Sequence, residues 1–209
     1  MCGAFRITYT GMENIKKGAV VIISGPSGSG ESTVTKILLD RLPAKRLVTA
    51  TTRPPRIGEK DGKDYFFFSK ERFLSEIKNG NIVEYTHIRN RDTYYGGYRP
   101  EVEKRLAVGD IVIANTDIVG TKYYKNQYDA VTIFIVPESL DSLAKRIRGR
   151  NPEMSEEELN SRIENARHEM EQEQPFYDYT IENRDGQLEK AVAEAETIIR
   201  ERFSDVKAV

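Results

Sequence analysis

A glycine-rich segment near the N-terminus carries the clearest chemical pattern in the chain. Residues 24–33 are SGPSGSGEST, in which Gly25, Gly30 and Ser32 fit the phosphate-loop spacing G-x-x-x-x-G-K-[ST]. Glycines at these places let backbone N–H groups converge on phosphate oxygens, and the hydroxyl that follows can bind magnesium. The position that the pattern gives to lysine is Glu31. The segment therefore predicts polyphosphate binding, with a carboxylate where the counter-charge belongs.

A second pattern lies in residues 49–67, TATTRPPRIGEKDGKDYFF. Arg53 and Arg56 stand on either side of a Pro-Pro pair, which stiffens the chain and fixes the directions of the two side chains. Guanidinium forks suit a phosphate dianion. Taken alone, the same residues also fit a solvated basic turn.

The phosphate loop needs a strand before it and a helix after it, and the sequence predicts both. Residues 19–24 form a continuous apolar run, which is typical of a strand buried on both faces of a parallel sheet. The segment that follows has an apolar helical face made of Val34, Ile37, Leu38 and Leu42. A glycine-rich turn without function is the weaker interpretation in this context.

Strands and helices alternate along most of the remaining chain. Buried strands are predicted at 111–114 and 131–136, and helices at 100–108, 139–148, 155–172 and 187–203. This alternation predicts an α/β fold with a central parallel sheet and helices on both faces. Residues 47–98 are rich in Tyr, Phe and Arg in short alternating runs, which predicts a small, mostly antiparallel lobe inserted into that core.

Composition limits the class of protein. The chain has 209 residues, 38% of them hydrophobic and 31% charged, which fits one globular domain with a core. A net charge of -1 gives no overall bias toward nucleic acid or acidic membranes. No apolar run approaches the ~20 residues of a membrane span, and residues 1–17 lack the apolar stretch of a signal peptide. With Cys2 as the only cysteine, no internal disulfide can form, so we expect a cytoplasmic protein.

The segments GPSGSG, TTRPPRIGEKDGKDYFF, IVEY, YYG, KRIRGR and SRIENA together resemble the guanylate kinase family. The likeness runs from about residue 19 to about residue 203. The stretch TTR-x-x-R-x-GE-x-x-GKDY is far more specific than a phosphate loop alone. The resemblance implies a P-loop three-layer α/β fold and an enzyme that transfers a phosphoryl group from ATP to GMP with Mg²⁺.

The resemblance also implies a division of the chain. Residues 1–18 would be an N-terminal extension and residues 19–206 the kinase-like domain. Within that domain we expect a core of 19–46 and 99–206, a GMP-binding lobe of 47–98 and a lid at about 146–160.

Site residues follow from the resemblance position by position. The implied GMP-binding residues are Thr49, Arg53, Arg56, Tyr65, Glu84, Tyr95, Gly97 and Asp117. The implied ATP-binding residues are Gly25, Pro26, Ser27, Gly28, Ser29, Gly30, Ser32, Thr33 and Asn183, the last near the adenine. The implied catalytic residues are Arg146, Arg150 and Arg162, with Glu31 at the lysine position. Ser32 and Asn115 are the implied magnesium ligands.

Glu84 and Asp117 match the positions that recognise guanine. Guanine presents N1–H and its amino group as adjacent donors, and carboxylates are acceptors. Adenine has an acceptor at the first of these places, so a buried carboxylate facing it would be left unpaired. The pair therefore predicts a preference for GMP over AMP.

Three positions depart from the family pattern. Gly97 replaces a Ser or Thr that helps to bind GMP, and Asn115 stands where a carboxylate usually helps to organise the magnesium. Glu31 is the most serious departure, because it removes a cation beside the β- and γ-phosphates and adds an anion. Loss of one pre-organised electrostatic contact typically costs ~10²–10³ in rate.

Two functions remain open from the sequence. The first is a guanylate kinase impaired at the phosphate loop, and the alternative is a non-catalytic guanylate-kinase-like module that binds GMP or a phosphopeptide. Arg146 and Arg150 also fit a solvated face, and Tyr95 also fits a core aromatic. We expect ATP and GMP as ligands and no nucleic-acid or membrane partner, and the chain is either a monomer or a homo-oligomer.

Overall fold

The computed structural model describes residues 18–204. The predicted N-terminal extension lies outside the described residues except for Gly18. The strands are β1 (Ala19–Ser24), β2 (Ala44–Arg46), β3 (Ala50–Thr51), β4 (Phe66–Phe67), β5 (Ile82–Ile88), β6 (Thr93–Tyr98), β7 (Ile111–Ala114), β8 (Val131–Pro137) and β9 (Tyr179–Asn183). The α-helices are α1 (Glu31–Arg41), α2 (Lys70–Lys78), α3 (Arg99–Ala107), α4 (Ile118–Tyr128), α5 (Leu140–Arg150), α6 (Glu156–His168) and α7 (Leu188–Arg202).

The central sheet has five strands in the order β2-β7-β1-β8-β9, and all four pairings are parallel. Side chains of β1 alternate between two cores: Val21 and Ile23 pack with α1 and α7, whereas Val20 and Ile22 pack with α3 and α4. The predicted α/β fold with helices on both faces of a parallel sheet is confirmed. Among the described residues, none of the helices is both long and apolar enough to cross a membrane.

A second, smaller sheet lies between β2 and β7 in the sequence. Its order is β4-β3-β6-β5, with β3–β4 parallel and the other two pairings antiparallel. Helix α2 begins at the Ser69 cap, whose side chain accepts a hydrogen bond from the Arg72 N–H, and it buries Phe73 against this sheet. The lobe therefore has its own small aromatic core.

Helices α5 and α6 pack against each other as a hairpin, and α5 also contacts β8 of the central sheet. Leu143 and Ile147 of α5 pack against Leu159 and Ala166 of α6, and Met154 of the connection completes the cluster. The stretch 146–160 thus comprises the end of one helix, a short turn and the start of the next. The helix predicted at 155–172 ends as an α-helix at His168 and continues as a π-helical turn, Glu169–Glu173.

Candidate active site

Residues 25–30 connect β1 to α1 and form the phosphate loop. Gly25 and Gly30 have φ angles of 154° and 102°, which favour glycine. Gly30 is restricted further, because a Cβ there would collide with the side-chain amide of Asn183. That buried amide donates a hydrogen bond to the Ser29 carbonyl at 2.7 Å. Asn183, predicted near the adenine, therefore also supports the loop from the end of β9.

Glu31 is the first residue of α1 and binds the side chains of the loop itself. The Ser32 hydroxyl donates to Glu31 Oε1 at 2.9 Å, and the Ser29 hydroxyl donates to Oε2 at 3.3 Å. A carboxylate in the first turn of a helix interacts favourably with the helix dipole. The residue is thus compatible with the fold, and its carboxylate accepts hydrogen bonds from both serine hydroxyls.

A cavity of about 400 Å³, here called the loop cleft, opens beside the phosphate loop. Four carboxylate residues line it: Glu31, Asp117, Glu169 and Glu173. Burial and then the charges of Glu173 and Glu31 raise the pKa of Glu169. The loop cleft is therefore an acidic environment, in which an anionic ligand meets repulsion unless a cation accompanies it.

The residues implied for magnesium are Ser32, whose hydroxyl donates to Glu31, and Asn115. Asn115 donates through its amide to the Ile23 carbonyl at 2.8 Å and to the Thr35 hydroxyl at 3.0 Å, so its own oxygen remains an available acceptor in the loop cleft. Within residues 18–204, no group of three or more His, Cys, Asp or Glu is arranged to hold a metal. Hydroxyl and amide oxygens nevertheless fit Mg²⁺, which takes most of its ligands from phosphates and water.

A second cavity, here called the lobe cleft, has a volume of about 350 Å³ and lies between the two sheets. Five of the predicted GMP-binding residues line it: Thr49, Tyr65, Glu84, Tyr95 and Asp117. Asn115, Thr116 and Asp117, which follow β7, line both the lobe cleft and the loop cleft. The two cavities therefore meet at the carboxyl end of a parallel strand, where open α/β sheets bind ligands.

Three carboxylate residues line the lobe cleft, Asp64, Glu84 and Asp117, and the last two lie in different settings. Asp117 caps α4 and accepts hydrogen bonds from the N–H groups of Val119 and Gly120, each at 3.0 Å. Glu84 projects from β5 and is largely buried. Burial, followed by the charge of Asp117, raises the pKa of Glu84 to about 7, against the opposing effect of the Gly97 N–H. Glu84 thus titrates near neutrality.

The two arginines of the basic turn lie outside the lining of the lobe cleft. Arg53 forms a two-point ion pair with Glu59, at 2.9 and 2.8 Å, and its guanidinium lies 5.4 Å from the centre of the Tyr65 ring. Glu59 also accepts from the Arg56 N–H at 2.7 Å. Sequence reasoning assigned no role to Glu59, although it stands within the specific GE motif. This carboxylate holds the turn together and occupies the face of Arg53 that suits a phosphate.

The arginines of the helical hairpin divide between two cavities. A cleft of about 220 Å³ on the α5 side of the phosphate loop contains Arg146 and Arg150 with Gly28, Gly30 and Asn183. Arg146 donates to the Asn183 carbonyl at 2.7 Å and to Asp185 at 2.8 Å. Arg162 instead pairs with Glu158 at 2.9 Å and shares only an outer cavity with Arg150. The structure brings two of these three arginines to the loop.

A buried parallel strand, a glycine loop and a helix N-terminus at the carboxyl edge of the sheet define a P-loop α/β protein. Comparison with known proteins narrows this class. A family model described as guanylate kinase matches residues 17–202. The chain therefore belongs to the guanylate kinase family, a class of phosphotransferases, and the resemblance inferred from the sequence is confirmed.

Individual relatives agree with the family model. The chain is 40% identical to the guanylate kinase of Fusobacterium nucleatum over 183 residues, which cover 87% of this chain and 96% of that protein. It is 40% identical to the guanylate kinase of Symbiobacterium thermophilum, with 90% and 87% covered. The crystal structure of guanylate kinase from Anaplasma phagocytophilum superposes with a TM-score of 0.65 at 28% identity, covering 90% of this chain and 87% of that one.

Proposed function

We propose that this chain transfers the γ-phosphoryl group of ATP to GMP with Mg²⁺, in the cytoplasm, at a rate limited by Glu31. The observation that carries this proposal is the junction of the two cavities at residues 115–117. One cavity contains the phosphate loop and the other contains a pair of carboxylates suited to guanine. A donor bound in the first and an acceptor bound in the second would meet at that junction.

In the acceptor half, Glu84 and Asp117 accept hydrogen bonds from N1–H and the amino group of guanine. The phosphate of GMP then lies toward Tyr65, Tyr95 and the basic turn. To bind it, Arg53 exchanges its partner Glu59 for the phosphate or shares its donors between the two anions. Charge repulsion between Glu59 and the phosphate favours a rearrangement of this turn on binding.

In the donor half, the loop N–H groups bind the ATP phosphates. An oxygen of the GMP phosphate attacks the γ-phosphorus, and the bond to the bridging oxygen breaks, leaving its electron pair on ADP. Arg146, Arg150 and Arg162 offset the charge that develops, Arg162 after movement of the hairpin. When bound through Ser32 and Asn115, magnesium supplies further charge neutralisation.

Glu31 weakens the donor half. At a few ångströms a carboxylate and a triphosphate repel each other, and a partly buried setting screens this repulsion less than water does. The Ser32 hydroxyl also donates its hydrogen to Glu31 rather than to a phosphate oxygen, while its oxygen keeps lone pairs for magnesium. We therefore infer slow transfer and weak ATP binding with GMP binding intact.

A coupled ATP/GMP assay tests this function, with AMP as the competing acceptor and calorimetry of GMP binding alongside. Slow phosphorylation of GMP that exceeds that of AMP supports the proposal. GMP binding without turnover, both in this chain and in Glu31→Lys, would instead favour the non-catalytic module. Equal binding of GMP and AMP would reject the guanine assignment of Glu84 and Asp117.

A further inference from the structure

A tyrosine hydroxyl is buried beside the lobe cleft without a hydrogen-bond partner. Tyr124 projects from α4, and only 1% of its surface is exposed. Its Oη has no partner among the residues that the structure describes. Most buried side-chain polar atoms are hydrogen-bonded, and an unsatisfied one costs ~1–3 kcal/mol. We therefore expect the Tyr124 hydroxyl to have a function that offsets the free-energy cost of leaving it unpaired.

The surroundings of the hydroxyl indicate that role. A Cβ built on Gly97 would collide with Tyr124 Oη, and the next atoms it would meet are Glu84 Oε1 at 3.0 Å and Val83 Cγ2 at 3.2 Å. The hydroxyl and the Glu84 carboxylate thus border the same small space at Gly97. Gly97 is also the position where the family resemblance leads one to expect a hydroxyl side chain. Tyrosine brings a hydroxyl to this space from the neighbouring helix.

We propose that Tyr124 is a positioning residue of the guanine site, whose hydroxyl donates a hydrogen bond to the Glu84 carboxylate when GMP is bound. The inference rests on the proposed function. The titratable groups that face Glu84 from α4 are Asp117 and Tyr124, and β6 contributes the Gly97 N–H. Asp117 disfavours the ionised form of Glu84, whereas a hydroxyl donor favours it. Tyr124 thereby holds Glu84 in the charged state and orientation that guanine requires.

The proposal explains the glycine at position 97. A serine side chain at position 97 would occupy the same space as the Tyr124 hydroxyl, and this space holds only one of the two hydroxyls. The three heavy atoms nearest to the built Cβ are Tyr124 Oη, Glu84 Oε1 and Val83 Cγ2, of which the last is the most distant at 3.2 Å. Every ring carbon of Tyr124 therefore lies at least 3.2 Å from the built Cβ. Removing the hydroxyl oxygen removes the closest contact and leaves the ring in place, so that only the tighter-than-usual contacts with Glu84 Oε1 and Val83 Cγ2 remain.

The test compares Tyr124→Phe with Tyr128→Phe in the full chain. Tyr128 lies one turn further along α4, and its hydroxyl interacts with Tyr123. We expect Tyr124→Phe to weaken GMP binding about fivefold to tenfold by calorimetry. We also expect the pH at which GMP affinity is half-maximal to stay the same, because it is set by the pKa of Glu84 in the free protein, where Tyr124 donates no hydrogen bond. The melting temperature without ligand should stay equal or rise by about 2–4 °C. Tyr128→Phe should leave GMP affinity and its pH profile unchanged.

Unchanged GMP affinity in Tyr124→Phe overturns the proposal, and so does a lower melting temperature without ligand, which would indicate a structural hydrogen bond. A second pair of variants provides an independent check. Gly97→Ser alone should weaken GMP binding through the collision, and Gly97→Ser combined with Tyr124→Phe should bind GMP better than either single variant. A double variant no better than the worse single one contradicts the proposal. If the unmodified chain binds no GMP, the proposed function fails together with this inference, and that result is distinct from those above.

Discussion

The lobe cleft and the loop cleft are joined through residues 115–117, yet their charges are arranged in opposite ways. In the lobe cleft, Glu84 and Asp117 stand where guanine offers donors in the proposed binding mode, and the two arginines of the basic turn lie outside the lining. In the loop cleft four carboxylates line a cavity next to a loop built for phosphate, and Arg146 is paired with Asp185 on the other side of that loop. One half of the site is matched to its proposed ligand, and the other half is opposed to it. A substitution at a residue that lines only one of the two clefts should leave ligand binding in the other cleft largely unaffected.

The largest expected effect is that of Glu31→Lys. Replacing a repelling anion by a cation should raise kcat/KM for ATP by about 10² or more, equivalent to ~2.7 kcal/mol of transition-state stabilisation. GMP affinity should change little, since GMP lies in the other cleft. The coupled assay measures the first quantity and calorimetry the second.

Glu31→Gln is the matched control, because it removes the negative charge without supplying a cation. Its kcat/KM for ATP should lie between the values of the unmodified chain and of Glu31→Lys. If Glu31→Lys is no faster than the unmodified chain, Glu31 does not limit the rate. Asn115 or a non-catalytic role would then become the leading explanation.

Glu84→Gln should have the next largest effect, confined to the lobe cleft. The amide keeps the shape of the side chain but offers one acceptor where the carboxylate offers two, so GMP should bind more weakly by roughly 1–3 kcal/mol. The preference for GMP over AMP should decrease in parallel. Calorimetric titration with both nucleotides measures this, and an unaltered preference would remove Glu84 from guanine recognition.

The effect of pH on GMP affinity should be somewhat smaller than the effect of Glu84→Gln. Because the pKa of Glu84 is raised to about 7 and guanine binds the ionised form, affinity should increase as the pH rises through 7 and level off above it. Between pH 6 and pH 8 the gain is about tenfold at most, since ~10% of a group with this pKa is ionised at pH 6. Titrations at several pH values measure the gain.

The GMP phosphate also ionises in this pH range, and Glu84→Gln separates the two contributions. The variant should keep only the part due to the phosphate. An equally steep profile in the chain and in the variant would show that Glu84 does not titrate where the structure places its pKa.

The smallest expected effect concerns Glu169, which lines the loop cleft from the π-helical turn that follows α6. Glu169→Gln removes one of the four carboxylates, and kcat/KM for ATP should rise roughly twofold to fivefold, because a partly screened charge outside the phosphate-loop motif contributes less than Glu31. Glu164→Gln, at an exposed position on α6 where Glu164 pairs with Arg167, is the matched control and should have no effect. If both variants behave alike, the acidity of the cleft does not weaken ATP binding.

Several strands and helices could be predicted from the sequence alone. β1, β7 and β8 are continuous apolar runs, and α5, α6 and α7 keep an apolar face at helical spacing, so local pattern was sufficient. β9 was not predicted, because only Ile181 and Asn183 of its five residues are buried and the run is short. Helix α4 was not predicted either. Its buried face consists of Gly120, Thr121 and Tyr124, which do not form an apolar pattern.

The residues of the site also divide into those that local sequence pattern predicts and those that only the structure reveals. The sequence by itself determined the phosphate loop, the basic turn and the family, because their residues lie close together in the chain and their types are dictated by phosphate chemistry. Only the tertiary structure revealed that Glu59 pairs with Arg53, that Glu169 and Glu173 face Glu31, and that the Tyr124 hydroxyl lies at Gly97. Most of these contacts join elements that are far apart in sequence, and their effects on charge and pKa depend on distance and burial. The packing of α4 and α6 against the two clefts sets these distances and the burial of these side chains.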